Sequence, residues 1–339
     1  MCQIFHLSAI LIMSFLITSC QPADQTPPPG AEEQVPEPQY TLTKDQTHNK
    51  FSSAIPPVLR VPSGAVIEVF TEEASDEQLE PGSEASAVEN LDFDPIHPLT
   101  GPVFIEGAQP GDVLKVRLHK VEPMGWGWTA IAPGFGFLAD LFTEPYLKTF
   151  NIEPGQTSVA FTEKINIPLR PFPGVMGVAP DTDEMLSTIP PRANGGNMDD
   201  PHLTEGTTVY FPVFVEGALF SIGDAHAAQG MGEVCGTAIE VPMRIIYQVE
   251  LVKGGRVIPE PEYETEDYYA VTAFGTSIDQ AAKKAVTYMV DYLVEEHGLS
   301  PQDAYALCSL AGDLKIAEVV DVPHMLVAMH MSKEVLGMK

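Results

Sequence analysis

From residue 40 to about residue 260 the apolar residues come in short runs, each closed by proline or glycine. VIEVF (66–70), VFI (103–105) and VLKVRL (113–118) are examples, and the last alternates apolar and basic residues with period two. Runs of this length and period predict half-buried strands rather than helices. VYF (209–211) and VFV (213–215) flank Pro212, which suggests an edge strand or a bulge. Residues 239–252 read as one more strand, ended by the turn Gly254-Gly255. With 31 prolines and 27 glycines punctuating the chain, the expectation is a mainly β fold, sandwich or jelly-roll-like.

A smaller part follows, predicted to be α/β. Ala281, Ala285, Tyr288, Met289, Tyr292 and Leu293 recur at three and four residues, so residues 277–296 predict a helix that Gly298 would close. Ser300-Pro301-Gln302-Asp303 supplies an N-cap, a proline at the first helical position and first-turn acids, which predicts a second helix to about residue 311. Residues 123–197 are rich in glycine and proline and are expected to be loops and short strands that shape a pocket.

The N-terminus reads as an address. ILIMSFLI (10–17) is apolar and uncharged, too short to span a bilayer and suited to a signal segment. It ends in Ile17-Thr18-Ser19-Cys20, which resembles a bacterial lipobox and makes Cys20 the expected lipidation site. The segment before it carries no lysine or arginine, which departs from the usual pattern. The expected organisation is a signal peptide over 1–19, a lipidated, proline-rich linker over 20–39 and a catalytic region over 40–339. Within the last, a β core runs to about 260 and helices occupy about 277–312. The expected location is the bacterial cell envelope, periplasmic or surface-facing, with membrane contact only through the lipid. With Cys20 lipidated and Cys2 removed, Cys235 and Cys308 remain, either as free thiols or as a pair.

Charge narrows the partners. Asp+Glu is 47 against 18 Lys+Arg, a formal net charge of −29. A body this acidic repels phosphate backbones, so nucleic acid is excluded as an expected partner.

Three stretches can carry chemistry. In SIGDAHAAQGMGEVCGTAIE (221–240), Asp224, His226, Glu233 and Glu240 stand among glycines and small residues. A carboxylate and an imidazole two residues apart can face one centre, and such donors suit a divalent cation such as Zn²⁺. The same residues equally describe a polar loop with an Asx-turn and a core histidine. In NGGNMDD (194–200), two asparagines, two glycines and two aspartates offer carbonyls, carboxylates and N–H groups to one point, or make a tight surface turn. In HPLTGPVFIEGAQPGD (97–112), Glu106 ends an apolar strand, either as a half-buried general base or as a salt-bridged strand end. Trp126-Gly127-Trp128 is either pocket lining or packed loop. No nucleophile elbow, phosphate loop, dinucleotide fingerprint, H-E-x-x-H or C-x-x-C occurs.

Taken colinearly, HPLTGPVFIEGAQPGDVLKV (97–116), NGGNMDD (194–200), FPVFVEGALFSIGDAHAAQGMGEVCGTAIE (211–240) and the helical tail resemble the acetamidase/formamidase family. The resemblance spans nearly all of residues 40–339. It implies a dimeric, β-rich enzyme that hydrolyses short aliphatic amides to a carboxylate and ammonia with a divalent metal, Zn²⁺ or Ca²⁺. Asn197, Asp199, Asp224, His226, Glu233 and Glu240 would then line the site. Asp199, Asp224 and His226 would hold the metal, and Glu233, Glu106 or Glu240 would move protons beside Asn197. Backbone N–H groups of Gly195-Gly196 or Gly230–Gly232 are the expected oxyanion donors. Where the family commonly has Gly-Asp-Gly-Glu, this chain has Gly230-Met231-Gly232-Glu233. Two alternatives stay open: a hydrolase of another C–N bond of formamide type, and, kept open by Met231, a surface-anchored small-molecule binding protein that lost turnover.

Overall fold

The computed structural model describes residues 34–338. The signal segment, Cys20 and the linker as far as residue 33 lie outside the described residues. What is described is mainly β, as expected, and is built from two nine-stranded sheets.

The first sheet runs in the order Tyr40–Leu42, Val66–Thr71, Met243–Val252, Val113–Pro123, Thr208–Pro212, Glu262–Glu264, Tyr268–Gly275, Met325–Ser332, Gly312–Glu318. The period-two pattern of VLKVRL is realised there: Leu114, Val116 and Leu118 are buried, while Lys115 and Arg117 face outward between them. Thr208–Pro212 corrects the edge-strand expectation. It pairs with Val113–Pro123 on one side and Glu262–Glu264 on the other, and Pro212 is tolerated because it is the last residue of the strand.

The second sheet runs Gly195–Asn197, Phe172–Gly177, Phe220–His226, Glu240–Val241, Gly125–Ile131, Tyr146–Ile152. Leu99–Ile105 joins it by pairing with the first half of Phe220–His226. Residues 123–197 are more regular than their composition suggests, since Gly125–Ile131 and Tyr146–Ile152 pair over seven residues. The main core lies between the sheets. Ile67, Leu114, Val116, Val209, Ile245 and Tyr247 from one sheet meet Ile105, Met176, Phe220, Ile222 and Val241 from the other. At roughly 1.5–3 kcal/mol for each fully buried large side chain, this layer dominates the stability of the sandwich.

The helices form where the sequence places them, over Ile278–His297 and Pro301–Ala311. Ser277 and Ser300 cap their N-termini, and Gly298 closes the first in the left-handed conformation. Ala281, Ala285, Met289 and Leu293 bury one helical face against Val271, Val327 and Met329 of the first sheet. Cys308 packs in this satellite core and Cys235 lies in the 232–239 loop; both are free thiols.

Candidate active site and metal centre

The site forms where strand Phe220–His226 changes neighbours. Its first half pairs with Leu99–Ile105, the last matched pair being Gly223 with Leu99. Its end pairs with Glu240–Val241, Ala225 matching Val241 and His226 matching Glu240. Asp224 stands in the gap between these two partners, and its φ is +46°. A non-glycine residue is rarely found there and holds that angle only when its surroundings impose it. His97 (+56°), Asp199 (+40°) and Glu233 (+45°) share this feature. The glycine-rich composition read as permissive loop is thus accompanied by strain at the polar residues themselves.

These residues converge. His226 Nε2 lies 3.0 Å from Glu240 Oε2 and 3.7 Å from Asp224 Oδ1, and His226 Nδ1 lies 3.7 Å from Asp199 Oδ1. Donor atoms of Asp224, His226 and Glu240 fall within 4.8 Å of one another, and so do those of Asp199, His226 and Glu233. All five residues are buried. Asn197 and Asp199, from the strand Gly195–Asn197 and the loop after it, therefore meet side chains from residues 224–240, as the sequence predicts. Gly174 makes the approach possible. A β-carbon there would stand 2.5 Å from Asp199 Oδ1 and 2.7 Å from His226 Cε1.

Electrostatics show a cluster short of positive charge. Burial pushes the Asp199 carboxyl up to about 6, and neighbouring Asp224 adds to the effect although His226 opposes it. Burial, then Asp199, holds Glu233 well above the usual carboxylate range. For His226, burial favours the neutral ring, but the Glu240 and Asp224 carboxylates outweigh it and hold the imidazole well above its ordinary value. Asp224 is resisted by burial yet held low by His97 and His226.

The donor set fits a divalent cation. Asp199 Oδ1, Asp224 Oδ1 and Glu240 Oε2 are buried and accept no hydrogen bond among the described residues. Leaving even one such acceptor bare costs about 1–3 kcal/mol, and more when it is charged. His226 Nδ1 is paired with Gln229 Oε1 at 2.8 Å, and Gln229 Nε2 donates to the Asp199 carbonyl at 2.7 Å. Gln229 thereby puts the imidazole proton on Nδ1 and leaves Nε2 as a lone pair facing two carboxylates. Only a proton or a metal ion relieves that arrangement.

Several expectations are corrected. Glu106 is exposed at the turn after Leu99–Ile105 and does not line the cavity, so the burial that would make it a general base is missing. The useful residue of that segment is His97. It lines the cavity with Nδ1 buried and unpartnered, and its Nε2 is 3.7 Å from Asp224 Oδ2. The Gly195 and Gly232 N–H groups are already donated to the Arg192 and Ala317 carbonyls, so neither serves as an oxyanion donor. Met231 is 38 % exposed and faces an outer groove with Phe150, Phe161 and Val234, not the cavity. An aspartate at that position would stand outside as well.

Asp321 and Glu318 come from the C-terminal segment, where no motif pointed to them. Asp321 Oδ2 accepts from Asn197 Nδ2 at 2.8 Å, and Glu318 Oε2 accepts from the Val320 and Asp321 amides. Burial, then Glu318, holds Asp321 well above its ordinary value, and burial raises Glu318 to about 8. A third donor group, Asp200, His202 and His330, is satisfied internally. Asp200 pairs with His202 Nδ1 and accepts from the Tyr263 hydroxyl, which accepts from His330 Nε2, each at 2.7 Å. This network ties the Asp199 loop to the first sheet.

The polar floor opens into a cavity of about 60 Å³ lined also by Trp128, which is both packed and pocket-forming. Its indole N–H donates to the buried Glu73 carboxylate at 2.7 Å.

Comparison with known proteins agrees with this architecture. Residues 36–187 and 182–338 match the model of the acetamidase/formamidase family. The chain is 29% identical over 308 residues to an acetamidase of Mycolicibacterium smegmatis, covering 70% of this chain and 76% of that protein. It is 27% identical to a formamidase of Methylophilus methylotrophus, covering 82% and 86% respectively. In three dimensions it is similar to a recombinant predicted acetamidase/formamidase of Thermoanaerobacter tengcongensis. The TM-score there is 0.83 at 35% identity, over 88% of this chain and 98% of that one.

Proposed function

The chain belongs to the acetamidase/formamidase family, amidohydrolases acting on linear amides, and from that premise we propose that it hydrolyses its substrate by metal-assisted attack of water. The observation that carries the metal is the pair of bare, buried oxygens on Asp224 and Glu240 before a His226 Nε2 lone pair, with the bare Asp199 Oδ1 on the Nδ1 side of the ring. Asp224, His226 and Glu240 would hold the ion, and Asp199 would close the centre from the other side of the ring. When bound, a divalent cation supplies a charge that acidifies water and stabilises negative charge on the carbonyl oxygen. One imidazole among carboxylates favours Zn²⁺ over Ca²⁺, which takes oxygen donors alone.

The chain's own groups do the rest. Asn197 lines the cavity with its Oδ1 buried and unpartnered, an acceptor for the substrate N–H. Glu233, ionised beside a bound cation, would accept the proton of the attacking water. Its burial favours the protonated form, so it would hold that proton until the amide nitrogen takes it and leaves. Asp321 keeps Asn197 in place. The exposure of Met231 removes the reason for the binding-protein reading.

Ammonia release from formamide and acetamide, measured with and without chelator alongside metal analysis of the purified protein, tests the proposal. Turnover that stops on chelation and returns with added Zn²⁺ supports it. Turnover indifferent to chelator ends the metal role and leaves amide hydrolysis standing. Glu233→Gln should lose about 10²–10⁴-fold in kcat while keeping its metal; an active variant would move the proton carrier elsewhere.

A further inference from the structure

The cavity has two chemically distinct ends. All its acids lie on the floor, and no lysine or arginine lines it among the described residues. The wall and mouth are a collar of Leu91, Phe93, Ile96, Trp128, Phe135 and Ile189. Trp128 is fixed by Glu73, a buried carboxylate that also accepts from the Ser75 and Glu77 amides and the Ser75 hydroxyl. Phe93 and Phe135 pair at the mouth with ring centroids 6.0 Å apart, and Phe93 is 43 % exposed. Beyond Phe135 the apolar surface continues outward through exposed Phe137 and Leu138.

Size and polarity together say what fits. One water needs about 10–15 Å³ by the measure that gives this cavity about 60 Å³, so the enclosed part holds roughly four to six water-sized groups. A carboxamide has three heavy atoms, and the attacking water is a fourth. An acyl group with more than about two further carbons must therefore lie against the collar. An anionic acyl group would find no lysine or arginine there, with acids beneath.

Resting on the hydrolase reading above, we propose that the preferred substrates are neutral primary amides whose acyl group is aromatic or branched and apolar, held by the collar, rather than formamide or acetamide. Each buried methylene is worth about fourfold in binding. A phenyl ring partly covered by Trp128, Phe93 and Phe135 should raise kcat/KM by at least about tenfold over acetamide.

The test compares kcat/KM for formamide, acetamide, isobutyramide, phenylacetamide and the anionic succinamate. Phenylacetamide and isobutyramide should lead and succinamate should trail. Phe93→Ala, at an exposed rim position that spares the fold, should pull the phenylacetamide-to-acetamide ratio towards one. Formamide or acetamide equal to or better than phenylacetamide overturns the inference and leaves amide hydrolysis intact. Absence of turnover on every amide ends the hydrolase reading instead. Calorimetric binding of phenylacetamide and acetamide to Glu233→Gln still decides the collar in that case, since equal or reversed affinities overturn it.

Discussion

Gly174→Ala probes the site without touching a reactive group. The new methyl would stand 2.5 Å from Asp199 Oδ1, 2.7 Å from His226 Cε1 and 2.8 Å from the Asp224 carbonyl oxygen. Ordinary contact begins near 3.4 Å, so Asp199 Oδ1 must retreat by 3.4 − 2.5 = 0.9 Å, or by 3.0 − 2.5 = 0.5 Å at the tightest tolerable packing. Ligand distances in metal sites hold to about 0.2 Å, so either shift is several times the tolerance. The methyl meets these groups inside paired strands, where backbone on both sides limits relaxation. Overpacking of this kind costs about 1–3 kcal/mol in stability. Metal affinity should fall at least as far as when a supporting group is lost, about 10–100-fold. Zn²⁺ competition against a fluorescent chelator reads the affinity, thermal unfolding reads the stability, and ammonia release reads the turnover. A Gly174→Ala protein with unchanged Zn²⁺ affinity and activity would refute the claim that Asp199 and His226 face one ion across strand Phe172–Gly177.

Three other outcomes follow from the same geometry. Gln229→Ala frees the His226 ring from the bond that fixes its proton on Nδ1, and should weaken Zn²⁺ binding by about 10–100-fold in the same competition assay with little change in fold; unaltered affinity would show that the tautomer is set otherwise. Tyr263→Phe removes the hydroxyl shared by Asp200 and His330 and should cost about 1–3 kcal/mol in denaturant unfolding, whereas wild-type stability would mean the network is not holding the loop. His48 is held neutral by burial, its pKa lowered from 6.5 to about 4, so the unfolded chain takes up the proton first and its contribution is lost as pH falls from 6.5 to 4. The stability gap between wild type and His48→Gln should therefore shrink over that window by up to about 3 kcal/mol, and a gap independent of pH would contradict the assignment.

The fold was readable because its signals are local. Period two in residues 113–118, and Ser300-Pro301 before an apolar helical stripe, each fix an element whatever surrounds it. Pro212 misled because the sequence cannot say whether a strand end lies at an edge or in the middle of a sheet. The site was half readable. Asp224, His226, Glu233 and Glu240 share one segment, Asn197 and Asp199 stand in a second that its composition marks, and the family resemblance joined the two. Glu106 and His97 lie in one motif, but only the third dimension shows that the strand between them carries one outward and leaves the other beside Asp224. Asp321 and Glu318 reach the site from about 80 residues beyond Glu240 through a turn with no recognisable spacing, so no local signal existed. Gly174 carried a signal only in retrospect, as a glycine flanked by apolar residues in a buried strand.

The strain and the charge belong to one design. His97, Asp199, Asp224 and Glu233 are four of the eight non-glycine residues at positive φ among those described. Each such residue costs of order 1–3 kcal/mol, and the carboxylates they carry repel one another in a dry pocket. Nothing local repays this. Asp199 is held by the Asp200–Tyr263–His330 network and by Gln229, Asp224 by the strands on either side of it, and His97 by the donation of its amide to the Ala74 carbonyl. The two-sheet core thus holds the acids in an arrangement they would abandon if free, which is the condition for binding a cation tightly without reorganising around it. Met231 itself adds no charge to the centre, since its side chain is exposed towards the outer groove, while the backbone on either side of it belongs to the lock: the Gly230 carbonyl accepts from the Glu233 amide, and Gly232 bonds to Ala317 and Val319.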